Sequence, residues 1–416
     1  MLLCNSKYTT IVLVLLFSHP DFRRAYLANA VSQLGNAFQF VALMWFAVAA
    51  AGPLGVVAVR LVDGLPALLF GLHGGVAADS WDRKRTMIAA DLVRGIVLVP
   101  VAAAGIAGSL PLWALVVAAF VVTTAASYFT PAFGAFLPSI VGRASIQRAS
   151  SLVGATNGGL QTTGWAVAAA LLGLVSVGTF FAINAASFFV SALLLWRIEA
   201  RPRATVIHDE RRPRLGGGLA GLRRRTGLPV AVAMLGAGMT IMSGVWTVGI
   251  AELAHSTLDL GAAGLALLLA ATALGTISAA AFLTRRAVRR KVLASCLAWT
   301  IALPGYVLLG LASSLPLVLL GTFFVGAASS AAILLVSTAT QESLPDDLLG
   351  RGMGVVFLGH VGTKPLGLIA IGPLYAVVDP AVIFVAGGLV VFAAALVSAS
   401  IVHGATVRAN LARATA

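Results

Sequence analysis

Apolar runs of about 20 residues recur from Ala25 to Val402, each long enough to cross a hydrocarbon core of roughly 30 Å as a helix. With 59% of its 416 residues apolar and only 10% charged, a soluble chain would have too little polar surface to stay in solution. The expected fold class is an all-α membrane protein. Breaks at Pro, Gly and charge clusters place helices at roughly 24–51, 53–78, 86–108, 112–137, 150–174 and 177–197, then at 228–254, 261–284, 291–312, 315–341, 352–377 and 381–403. That is twelve transmembrane helices in two sets of six.

A formal charge of +14 would by itself suggest a phosphate-bearing partner, but the charge is distributed as a membrane protein's would be. With the N-terminus inside, the inside segments carry Lys7, Arg23, Arg24, Arg83, Lys84, Arg85, Arg143 and Arg148, nine arginines from Arg197 to Arg225, and then Arg285, Arg286, Arg289, Arg290, Lys291, Arg351, Arg408 and Arg413. These are 25 of the 28 Lys and Arg residues. The outside connections near Gly52, Ser109, Val175, Leu258, Ser313 and Asp379 carry none, and Arg60, Arg94 and Lys364 lie within helices. This split puts both termini in the cytoplasm and needs no nucleic acid to explain the charge. Membrane lipid is the expected partner of the Arg-rich central loop.

The domain plan expected is a cytoplasmic extension at 1–21, a six-helix bundle at 22–197, a basic linker at 198–226, a second bundle at 227–403 and a tail at 404–416. Ile11–Phe17 is apolar but too short to span. The alternative, a signal peptide with Lys7 as its basic region, lacks a small-x-small cleavage site. Two cysteines, Cys4 and Cys296, exclude a disulfide framework and a CxxC metal site. At an offset of 206 residues Arg83-Lys84-Arg85 falls on Arg289-Arg290-Lys291, a weak internal echo that two basic loops would also produce. The predominance of Arg over Lys, with abundant Ala and Gly, suggests a high-GC bacterial source and so an inner-membrane location.

Between the second and third helices stands Gly75-Val-Ala-Ala-Asp79-Ser-Trp-Asp82-Arg83-Lys84-Arg85, which resembles the major facilitator loop signature G-x-x-x-D-(R/K)-x-(G/D)-R-(R/K). The resemblance implies two pseudo-symmetric six-helix bundles, a midplane substrate site and alternating access. It also implies a conformational latch built from Gly75, Asp79, Asp82, Arg83 and Lys84, with Asp91 and Arg94 supporting it as a self-neutralising pair. Ser80 stands where the family usually has a base. Finer resemblance is to the branch of macrolide-efflux and enterobactin-exporter-like permeases. It is carried by Phe22-Arg23-Arg24, Ser32-Gln-Leu-Gly35, Leu65-Pro66, Ala90-Asp91-Leu-Val-Arg94, Phe129-Thr-Pro131-Ala132, Asn184-Ala-Ala-Ser187-Phe188, Gln341 with Pro345-Asp346, Gly350-Arg351 and Gly362-Thr-Lys364-Pro365-Leu-Gly367. Three positions depart from that branch: Asn36 where Asp is usual, Gly164-Trp165-Ala-Val-Ala168 without its Pro, and the charged Lys364.

Ionisable groups inside spans are costly and therefore candidates for function. Arg60 and Asp63, three apart on the second helix, are open to structural pairing or to proton coupling. Lys364, with His360 one turn behind and Pro365 beside it, is open to snorkelling or to a cavity-facing or interface-facing role. The resemblance implies that the second and eleventh helices pack as neighbours, which would bring Asp63 and Lys364 within roughly one helical turn of each other in depth. Asp63 would then pair with Lys364 in one access state and with Arg60, or with a proton, in the other. Glu252 is a rim charge or a proton-loading site. On the first helix Asn29, Gln33 and Asn36 form one polar stripe continued by Phe40, which lines the cavity or hydrogen-bonds to neighbouring helices. Tyr128, Asn157, Trp165 and Trp246 are packing residues or substrate surface, and His73 belongs near the latch.

No phosphate loop, metal set or nucleophile motif is visible. The reading is therefore of a non-enzymatic secondary transporter needing no cofactor, a monomer that exports a small molecule such as a drug, antibiotic or siderophore-like metabolite in exchange for protons. Nutrient uptake is the alternative, and a membrane enzyme or receptor a more distant one.

Overall fold

A computed structural model describes residues 19–171, 174–199, 217–223, 225–253, 261–311 and 314–414. Much of the expected N-terminal extension and of the linker falls outside them. The described residues are helical, as lipid demands of a chain whose backbone groups find no water to bond. The helices are α1 (Pro20–Ser80), α2 (Arg83–Ile106), α3 (Leu112–Val141), α4 (Ile146–Leu171), α5 (Val177–Trp196), α6 (Gly217–Arg223) and α7 (Leu228–Glu252). They continue with α8 (Gly261–Arg285), α9 (Lys291–Ala298), α10 (Ala302–Leu311), α11 (Leu315–Ser343), α12 (Asp346–Phe357), α13 (Lys364–Ile371) and α14 (Pro380–Ala414). Among the described residues nine helical stretches are long and apolar enough to cross a membrane.

Several boundaries differ from the sequence expectation, and the twelfth span, for one, continues as helix to Ala414 rather than ending near 403. The first two spans run as one helical stretch of 61 residues, because a proline such as Pro53 removes a single backbone hydrogen bond and can bend a helix without ending it. The ninth span is α9 and α10 joined by a 3-10 turn at Trp299–Ile301. The eleventh begins at Asp346 and is interrupted by a π-helical turn, Leu358–Gly362, before α13 resumes at Lys364.

The chain divides into two compact units, one of Met1–Gly218 with Pro345–Gly354 and the other of Leu219–Leu344 with Val355–Ala416. In the first, one apolar cluster gathers Phe22, Met87, Phe129, Ile146 and Leu195, and a second gathers Leu98, Leu115, Phe180, Phe181 and Phe188. Helices also meet through small residues, as expected where lipid tails are as apolar as leucine and close packing must hold the bundle. A Cβ at Gly105 of α2 would lie 2.7 Å from the Cα of Gly178 on α5, and one at Gly74 of α1 would collide with the Ser127 carbonyl of α3. In the second unit a Cβ at Gly310 of α10 would lie 2.8 Å from the Ala381 carbonyl oxygen of α14, and one at Gly275 of α8 would collide with the Phe323 carbonyl of α11.

Gly74→Leu is accordingly expected to force α1 and α3 apart. The obstacle is backbone that cannot rotate away, so the cost should reach at least about 3 kcal/mol, the upper end for overpacking. Thermal unfolding in detergent reads it, and an unchanged midpoint would refute this close approach.

Candidate functional site

The loop signature folds into a two-residue turn. α1 ends at Ser80, Trp81 is extended, and the Asp82 side chain caps α2 by accepting the Arg85 amide at 2.8 Å. This turn holds the buried Asp79 close to Arg83, whose Nη2 lies 3.8 Å from the carboxylate. The chief partners of Asp79 come from α12. Its carboxylate accepts the Gly350 amide, the Arg351 amide at 2.8 Å and Arg351 Nε at 2.9 Å. Arg83 donates to the carbonyls of Ala78 (3.0 Å), Ala135 (2.9 Å) and Asp346 (2.6 Å), and Lys84 Nζ donates to Ile198 at 2.6 Å. A Cβ on Gly75 would lie 2.8 Å from the Gly350 carbonyl oxygen, so α1 and α12 approach at backbone distance here. The arrangement clamps the start of α12 by charge-assisted bonds in a dry setting, the strongest class of hydrogen bond available to it.

Asp91 and Arg94 form a separate centre. Arg94 Nη1 lies 3.1 Å from Asp91 Oδ1, and Ser191 Oγ donates to Oδ2 at 2.7 Å. The guanidinium lies over Phe129 and Phe188, 4.9 Å and 5.2 Å from their centroids. Both ionic groups are buried, and Arg94 Nε has no hydrogen-bond partner among the described residues. His73 and Tyr128 meet beside the signature, Nδ1 to hydroxyl at 2.9 Å, with Trp81 stacked 6.0 Å from the Tyr128 ring.

The first-helix stripe is engaged with α4 and α5. Asn29 donates to Asn157 at 2.7 Å, Asn36 to Gln33 at 3.2 Å, and Asn184 to Asn36 at 3.4 Å and to Gln39. Phe40 packs on Trp165 with centroids 5.2 Å apart. The indole N–H groups of Trp165 and Trp246 are each buried without a hydrogen-bond partner among the described residues.

In the second unit His360 sits in the π-helical turn and Lys364 opens α13. The break leaves carbonyls to be satisfied from outside the helix, and α7 supplies hydroxyls: Ser243 donates to the Lys364 carbonyl at 2.6 Å and Thr240 to that of Thr363 at 3.3 Å. The side chains of Arg60, Asp63 and Glu252 lie outside the described residues. Among the described residues no group of three or more His, Cys, Asp and Glu side chains could hold a metal ion.

Arg351 is the partner of Asp79 that motif reading did not assign to the latch; its Nη2 also bonds the carbonyl of Asp347, four residues earlier, at 2.7 Å. Asn184, Gln39 and Ser191 were likewise missed as partners of the polar stripe and of Asp91.

A multi-pass helical membrane fold of two six-helix halves, with this loop signature, defines a major facilitator transporter. More narrowly, the chain belongs to the transmembrane secretion effector family, whose sequence profile matches residues 15–413. Over 171 residues it is 28% identical to YfiS of Bacillus subtilis, an uncharacterised MFS-type transporter; the match covers 41% of this chain and 40% of that relative. Solved structures share its fold at low identity. The human organic anion transporter MFSD10 aligns with a TM-score of 0.71 at 16% identity, covering 92% of this chain and 99% of that one. A bacterial homologue of the iron transporter ferroportin aligns at 0.73 and 14%, covering 93% and 99%. The E. coli fucose:proton symporter aligns at 0.69 and 14%, covering 92% and 98%.

Proposed function

We propose that this secondary transporter exports a small molecule, of the drug, antibiotic or siderophore-like kind, across a bacterial inner membrane in exchange for protons. Secretion is the direction that the family's description supports. The observation that carries proton coupling is the interrupted eleventh span, where a lysine and a histidine stand at a π-helical break beside a proline. π-turns cluster at functional sites, and a charge held within a span has to be offset by work it performs. The Asp79 cluster is read as the latch whose closure alternates with opening during transport. The buried indole donors of Trp165 and Trp246 are groups that a substrate acceptor would satisfy.

A susceptibility panel with the gene deleted and overexpressed identifies a transported compound. Everted vesicles then test direction: an acid-inside gradient should drive accumulation of that compound, and accumulation driven only by the opposite gradient would establish uptake instead. In the same vesicles Lys364→Ala is expected to uncouple flux from the pH gradient in part, and Asp63→Asn more completely. Wild-type proton-driven flux in both variants would remove these charges from the coupling path.

A further inference from the structure

A pocket of about 390 Å³ opens in the second unit between the start of α7 and the last turns of α14. It is lined by Arg223, Arg225 and Arg408, by Thr226, and by the apolar Val230, Ile401 and Ala405. Among the described residues no acidic side chain contributes to the lining. Arg408 follows Ile401 and Ala405 on one face of α14, and its Nε donates a long bond, 3.4 Å, to the Gly404 carbonyl.

The pocket is built into the fold. Leu222 and Leu228, on either side of the arginines, are fully buried. Between them Gly227 adopts a left-handed φ of 76° and packs so closely on Val402 that a Cβ would lie 2.9 Å from its Cγ1. Gly227 and Pro229, which also line the pocket, stand at the start of α7, the positive end of that helix dipole. Three guanidiniums with five donors each, gathered at a helix start, suit the oxygens of a phosphate. The apolar wall separates the possible sources. Ile401 is exposed, as are Val397 and Val407 near it on α14, so apolar surface of the kind that faces acyl chains adjoins the three charges.

We infer that this pocket binds the phosphate of an anionic phospholipid, with an acyl chain lying along Ile401 and Val230. The inference rests on the chain's being a membrane protein and is independent of the direction of transport or its coupling to protons.

The test is native mass spectrometry of the full chain in non-ionic detergent, with dioleoyl phosphatidylglycerol, dioleoyl phosphatidylcholine or inorganic phosphate added. The wild type should retain one phosphatidylglycerol adduct and no comparable phosphatidylcholine adduct. In the triple variant R223Q/R225Q/R408Q retention should weaken about a hundredfold, each basic charge near a membrane surface contributing a factor of about five. The control R148Q/R197Q/R290Q, which removes equal charge elsewhere, should bind within about twofold of the wild type. Equal retention of the two lipids, or equal loss in the control, would overturn the inference. Displacement of the lipid by millimolar phosphate would overturn the lipid source and leave a soluble anion site. If the triple variant fails to fold, R225Q and R408Q singly should each weaken retention about fivefold, and unchanged retention in both would be equally fatal.

Discussion

Arg94→Ala is expected to be among the most destabilising single substitutions in the chain. It leaves the Asp91 carboxylate, fully buried and otherwise held by Ser191, without its cation, and breaking a buried pair from one side costs about 3–5 kcal/mol. It also removes the guanidinium packed over Phe129 and Phe188, so a cavity is added to the unpaired charge. The measurement is the thermal midpoint and the folded yield in detergent. Because the penalty arises from the orphaned charge, the double variant D91L/R94L should recover much of the loss. A single variant as stable as the wild type would show that the pair contributes nothing to the fold.

Asp79→Asn should leave insertion and folded yield nearly intact while removing most transport. The side chain receives two backbone amides and a guanidinium from α12, and an amide can neither attract Arg351 as a charge nor accept at both of its ends. Hydrogen bonds to charged groups contribute about 1.5–3 kcal/mol each, so losing one shifts the clamped population of α12 by about tenfold or more. Flux in everted vesicles, normalised to protein in the membrane, is the readout. Normal flux would mean that the signature serves topology alone.

Helix type and approximate position were legible because apolar runs of membrane-spanning length are the strongest pattern a sequence can carry. Interruptions were not. Nothing local in Phe357–Thr363 announces a π-helical turn, since its stability depends on hydroxyls that α7 donates from more than 100 positions away, as Ser243 does to Lys364 across 121 residues. The same holds for side-chain partners. The signature around Asp79 could be recognised from spacing, but Arg351 lies 272 residues on, and Asn36 finds Asn184 across 148. A stripe of amides on one helix has two physical outcomes, cavity lining or interhelical bonding, and only the neighbouring helix decides between them.

The tight glycine contacts described above fall at matching places. Gly74 meets Ser127 and Gly275 meets Phe323, each joining the second crossing of its unit to the fourth. Gly105 meets Gly178 and Gly310 meets Ala381, each joining the third crossing to the sixth. Side chains on the lipid face and in the interior can change while remaining apolar. Where two backbones touch there is no volume for drift to occupy. These positions are therefore the least free to change in either half, and a site that refuses a methyl group in one half has a counterpart that refuses it in the other.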